Sequence, residues 1–186
     1  MKLNLSLPLL LIALLVASGC SSVTTTHPLS SNPKPIDQEE FEGAWLADDQ
    51  TFHVKFSSNG VAKIAGVEWK SNQFHIVHGE MIVTEGDEHN FLSVRFQEDG
   101  EWMEDYFFLP YTFTEQDDLI LWAPDTDVFE ELIEKKQLQG IIKKGKYSTN
   151  ITITNAPAGL LEIINDPENL KLFEYREPTI LRKITK

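Results

Sequence analysis

The 186-residue chain has the length of one domain, and its eleven Phe, four Trp and four Tyr supply ample core material. Sixteen Lys and Arg against 29 Asp and Glu give a net charge of -13. That excess argues against a nucleic-acid binder and against docking on anionic lipid through the protein surface itself; it either favours a basic partner or serves only solubility.

Met1-Lys2 supplies one positive charge, and an apolar stretch follows that is dense from Leu9 to Ala17. Ala17, Ser18 and Gly19 then provide small residues. This is the layout of a secretory signal, and the dense run falls short of the roughly 20 residues that span a bilayer. The sole cysteine, Cys20, rules out an internal disulfide, a cysteine metal site and a catalytic thiol in the folded body.

The run Ala17-Ser18-Gly19-Cys20 resembles the lipobox of bacterial lipoproteins, with Ala where Leu is commoner three places before the cysteine. The resemblance implies removal of residues 1–19 and acylation of Cys20, with palmitate or a similar chain. Two or three chains hold a protein stably to a membrane. With Ser21 following the cysteine, it also implies the periplasmic face of the outer membrane. An ordinary signal peptide that leaves Cys20 free is the other reading.

Residues 20–38 are expected to form a lipidated flexible tether. From Ser21 to Gln38 the chain reads SSVTTTHPLSSNPKPIDQ, almost without charge or large apolar side chains. Such composition does not offset the entropy of ordering.

Residues 39–186 read as one β-rich globular domain. Phe52, Val54 and Phe56 alternate with polar residues, and Ser58-Asn59-Gly60 supplies turn chemistry. Further strands are expected at 61–64, 66–69, 73–78, 81–84 and 91–96, with a turn at Glu98-Asp99-Gly100. The stretch from Trp102 to Phe113 carries large side chains on both alternating faces, and 119–122 closes the series. Short strands at this spacing predict an antiparallel meander in an open or closed barrel. From Asp125 the period changes. Asp127 with Glu130 suggests a capping box, Phe129, Leu132 and Ile133 share a helical face, and Glu131 and Lys135 sit four apart. Gly140 is expected to stop that helix. A strand at 147–154, a helix from Pro157 to Ile164, a further helical turn from Asp166 to about Phe173 and a last strand at 179–184 complete the reading.

Gly43-Ala44-Trp45 resembles the Gly-x-Trp signature of lipocalins and related barrels. The resemblance implies that Trp45 closes one barrel end and packs against an Arg of the last strand, a place Arg182 holds by chain order. A guanidinium stacks well on an indole face. The chain departs from lipocalins in placing its helices before the last strand rather than after it. The fold expected is therefore mainly β: an antiparallel lipocalin-like barrel with one to three short helices inserted before the last strand.

Chemistry is sparse. Gly140 to Tyr147 nearly spells a phosphate loop, but no Ser or Thr directly follows the Lys, and a helix precedes it where a strand is required. Its Lys143, Lys144 and Lys146 read either as a solvated turn or as a contact for lipid headgroups or an acidic partner. His75 and His78 are three apart on a strand and point to opposite faces. The loop Glu85-Gly86-Asp87-Glu88-His89 collects acids and an imidazole without a calcium or zinc pattern. No catalytic residue, metal ligand or cofactor is assigned. Trp69, Trp102, Tyr106, Phe108, Tyr111 and Trp122 read as core or as the lining of a ligand cavity. The expected function is a non-enzymatic envelope lipoprotein that binds a small hydrophobic ligand. The alternatives are an acidic module that holds or inhibits a basic protein, and an enzyme on the same scaffold.

Overall fold

The computed structural model describes residues 21–30, 38–47, 50–70, 72–86, 89–98, 100–166, 169 and 171–185. Barrel strands β2 (Gly43–Ala47), β3 (Gln50–Phe56), β4 (Ala62–Lys70), β5 (Gln73–Thr84) and β6 (Asn90–Glu98) form a meander, each paired antiparallel with the next. A two-residue strand β7 (Glu101–Trp102) folds back on β6. β8 (Tyr106–Phe113) pairs with β6 along the edge opposite β5, β9 (Leu119–Leu121) follows, and the last strand β12 (Thr179–Thr185) joins β9 to β2. The result is a closed antiparallel barrel of eight strands, of lipocalin-like architecture.

Between β9 and β12 the chain leaves the barrel to build a second layer. Helix α2 (Thr126–Glu134), the hairpin β10 (Gly140–Lys144) and β11 (Thr149–Ile153), and helix α3 (Pro157–Ile164) occupy this insertion. Helix α1 (Gln38–Phe41) stands before the first barrel strand, outside the expected insertion.

The two layers explain the sequence pattern of β6 and β8. Leu92, Val94, Phe96, Phe107 and Leu109 face the barrel interior. Phe91 and Phe108 face outward and are fully buried under α2, α3 and the hairpin. A strand covered on both sides reads as a near-continuous apolar run. The long aromatic run is therefore one strand serving two cores.

Residues 20–38 are not a leash throughout. Ser22–Thr25 forms strand β1, parallel to β11 on one side and antiparallel to the start of β8 on the other. Val23 and Leu29 are 3% and 1% exposed. The Leu29 amide donates to the hydroxyl of fully buried Ser93 at 3.0 Å, and the Thr26 amide to the Ile153 carbonyl at 3.1 Å. The run Val23-Thr24-Thr25 is β-branched, which suits a strand, and the sheet supplies the partners that composition alone did not reveal. The globular body thus begins near residue 21, not 39.

Other boundaries shift for local reasons. Asp125, not Asp127, caps α2, accepting the amides of Asp127 at 3.0 Å and Val128 at 3.3 Å. The helix ends at Glu134, with Lys136 in the left-handed region. Gly140 opens β10 instead of stopping the helix. A Cβ there would meet Ile133 at 2.6 Å, so the glycine permits close packing of the strand on α2. The expected pairs 61–64 with 66–69, and 73–78 with 81–84, are single strands that run through Gly66 and Gly79. The expected helical turn after Asp166 falls partly outside the described residues.

A chain starting at residue 39 loses β1 and Leu29 and uncovers Ile151 and Ile153. Burying two aliphatic side chains contributes about 3–6 kcal/mol. Urea unfolding of chains starting at 21 and at 39 should differ by that amount; equal stabilities would mean that β1 contributes nothing to the fold.

Candidate functional site

Alternation along the barrel strands sends Trp45, Phe52, Val54, Ile64, Met81 and Leu92 inward. These and neighbouring side chains line a cavity of about 70 Å³ in which, among the described residues, Thr179 is the only polar lining residue. Ala47 also lines it, a small residue where a larger one would fill the space.

One end of the barrel is closed by α1. Phe41, 2% exposed, plugs the opening and meets Tyr111 and Phe113 edge to face at 5.3 and 5.0 Å. Gly43, at φ 130, turns the chain from this short helix into β2 in a conformation that favours glycine. The Trp45 indole N–H then reaches back to the Phe41 carbonyl at 2.8 Å.

The last strand completes the closure, one residue away from the expected position. Lys183, not Arg182, pairs with Trp45 in the register, and its ammonium lies 5.4 Å from the indole centre. Arg182 pairs with Leu46 and is exposed. Because successive strand residues face opposite ways, only one of two adjacent cations can reach the indole. Lys183 also donates to the Glu39 and Glu40 carbonyls at 2.8 and 2.6 Å, fastening α1 over the barrel end.

Around this lid lies an open bay of about 570 Å³, bordered by Glu39, Glu40, Glu42, Asp117, Phe113 and Lys183. Hydrogen bonds from Lys55 and the Phe56 amide hold the Glu42 carboxyl below the usual range. Burial, with Glu40 and Glu85 adding their charge, pushes the Tyr111 phenol up to about 12.

The outer wall carries a second cluster. Glu80, 8% exposed, accepts from Lys63 at 2.9 Å and from Arg95 at 2.7 Å. Burial alone would raise its pKa, but the two cations outweigh it and the carboxyl titrates below its usual range. The Arg95 guanidinium lies 5.2 Å from the Trp102 ring and 4.8 Å from that of Tyr106. Every charge has a partner here, which makes this cluster a clasp between β4, β5, β6 and β8.

Cys20 lies outside the described residues, as do Asp87 and Glu88 of the acidic loop. His89 from that loop contacts Phe91 and the Tyr175 hydroxyl. His75 pairs with Glu68 and His78 with Ala65, on opposite faces of β5. Among the described residues no group of three His, Cys, Asp or Glu side chains is placed to hold a metal ion. The aromatic candidates divide by position. Phe108 belongs to the outer core, Trp102 stacks on Arg95, and Tyr111 backs the lid; the cavity itself is lined by Phe41, Trp45, Phe52 and Phe96. Sequence reading missed Phe41 and Lys183. Period-two counting from Trp45 across a hairpin would not have found them, since they come from opposite ends of the body. No helix of the described residues is long and apolar enough to cross a membrane. Comparison with family models, curated proteins and solved structures finds no match.

Lys183→Met removes a cation–π contact and two charge-assisted hydrogen bonds, and should cost about 2–3 kcal/mol in thermal unfolding. Arg182→Met should stay within about 0.5 kcal/mol. The reverse ranking would restore Arg182 as the closing residue.

Proposed function

We propose that the chain is a non-enzymatic lipoprotein, anchored through acylated Cys20 to the periplasmic face of the bacterial outer membrane, whose barrel holds the apolar end of a small hydrophobic molecule. The observation that carries the binding half is the void of about 70 Å³ in an otherwise packed apolar interior. At roughly 24 cal/mol per Å³, an empty cavity of that size costs about 2 kcal/mol. One larger residue in place of Ala47 would remove that cost. A retained void of this kind is explained by a guest that fills it.

Size limits the guest. Ordinary ligand pockets run to roughly 300–1,000 Å³, and an engineered apolar cavity near 150 Å³ takes up benzene. With the lid shut, the barrel therefore accepts a short alkyl end and no more. A larger guest requires Phe41 to swing aside, and its lid is a single turn of helix held by one lysine and one indole. The anchoring half draws on the lipobox-like residues at 17–20.

Val94→Leu adds one methylene to the cavity wall. It should raise stability by about 0.8 kcal/mol in the empty protein and abolish guest retention. Native mass spectrometry of the gently purified protein should show a small added mass that disappears on denaturation and is absent from the variant. A wild-type protein with no added mass, which also fails to take up short alkanes, would sink the ligand reading.

A second reading has its own observation. Beyond the barrel, the β4–β5 hairpin exposes Val67, Phe74 and Ile76 at 51%, 73% and 68%, with Val67 opposite Ile76 in the register. On a chain of charge -13, such a face suits a basic protein with an apolar centre. Binding of that kind weakens with salt and should be lost in Phe74→Ser/Ile76→Ser. A partner indifferent to both would exclude this surface.

A further inference from the structure

The chain enters the fold without slack. The Ser21 hydroxyl accepts the Thr149 amide at 3.0 Å, and the Ser22 hydroxyl donates to Asn150 at 3.0 Å. From Ser22 onward β1 runs parallel to β11, with Ser22 opposite Asn150. β10 flanks β11 on its other side, with Lys144 opposite Thr149 and Lys143 opposite Asn150. The turn from Gly145 to Ser148 therefore stands at the same end of this sheet as Ser21. Cys20 is one peptide bond before Ser21, a Cα separation of about 3.8 Å.

The end of β10 and this turn together hold the densest positive charge in the sequence, three lysines in four positions. They do not act alike. Lys144 pairs with Glu130 of α2, and Glu134 and Asp127 also face it. Lys143 lies on the opposite face of β10 and is exposed, as is Lys146. Lys146 sits 4.8 Å from the ring of Tyr147, which is 79% exposed. Tyrosine with flanking lysines is the combination that settles at headgroup level, the ring among the glycerol groups and the ammonium groups on phosphate.

We infer that the β10–β11 turn, through Lys143, Lys146 and Tyr147, is a docking surface for the anionic phospholipid leaflet that holds the acyl chains of Cys20. The inference rests on the lipid-anchored reading and adds the face by which the body meets the leaflet. The charge of -13 opposes docking of the molecule as a whole. Charges further than about 8 Å from the contact are screened at physiological salt, so the local turn decides. With one residue between anchor and strand, the leaflet is brought to this turn in any pose the anchor allows. Each exposed lysine strengthens the contact about fivefold.

The test uses the full chain, processed in the cell, purified from membranes and reconstituted in phosphatidylglycerol-containing vesicles. Intact mass first establishes whether Cys20 is acylated. A nitroxide is placed at 147 through Tyr147→Cys, and a control nitroxide at 75 through His75→Cys at the far end of the barrel. The acylated protein should read headgroup depth at 147 and water at 75. Lys143→Glu/Lys146→Glu should return the 147 label to water with the acyl mass unchanged, and pure phosphatidylcholine vesicles should do the same. A 147 label that stays in water on the acylated protein overturns the docking inference and leaves the anchor standing. So does a label that becomes protected only when an acidic protein is added. Absence of the acyl mass overturns the anchor, and this inference with it.

Discussion

Strand β8 is the constraint on which the rest of the structure depends. One edge gives its hydrogen bonds to β6 and closes the barrel. Its other edge is divided, with Tyr106 and Phe107 pairing with β1 and Tyr111 to Phe113 pairing with β9. A sheet that branches in this way needs a strand apolar on both faces and long enough for two neighbours in succession. The sequence Tyr106-Phe107-Phe108-Leu109 meets that need. Phe107 and Leu109 serve the interior, while Phe108 packs edge to face on Phe129 at 5.6 Å and on Phe173 at 6.2 Å. A charge at Phe108 would leave the barrel wall intact and remove the floor of the outer layer.

The lid shows a different economy of means. Four residues of helix cannot be stable alone, since nucleating a turn is unfavourable. α1 exists because Phe41 buries its ring, Trp45 binds its last carbonyl, and Lys183 binds the two before it. These contacts come from both ends of the barrel chain, so the lid depends on β12 being docked on β2.

How much of this was legible in the sequence follows from how local each signal is. The barrel strands carried period-two alternation, and the class of fold followed from them. Glu131 and Lys135, four apart, form the ion pair their spacing implies. Strand continuity through Gly66 and Gly79 was hidden because glycine usually weakens a strand. Here a Cβ at 79 would meet the Phe96 ring at 2.9 Å, and one at 66 the Phe52 Cβ at 3.3 Å. The need for glycine lies in a neighbour strand that no local window contains. The same holds for β1, whose partners β8 and β11 lie far along the chain, and for the choice of Lys183 over Arg182, which depends on register across the closing seam. The cavity was not legible at all, because a void is a property of fifteen side chains together.

The placement of β1 also has a mechanical side. The strand lies between β11 and β8, and its hydrogen bonds run across its axis to both neighbours. Tension applied at Ser21 along the strand loads those bonds side by side, in shear, so they must fail together. The same tension directed sideways would open them one after another, like a seam. A molecule held by its amino-terminal end and pulled away in line with β1 therefore resists at its strongest angle. The load passes straight into β8, the strand that barrel and outer layer share.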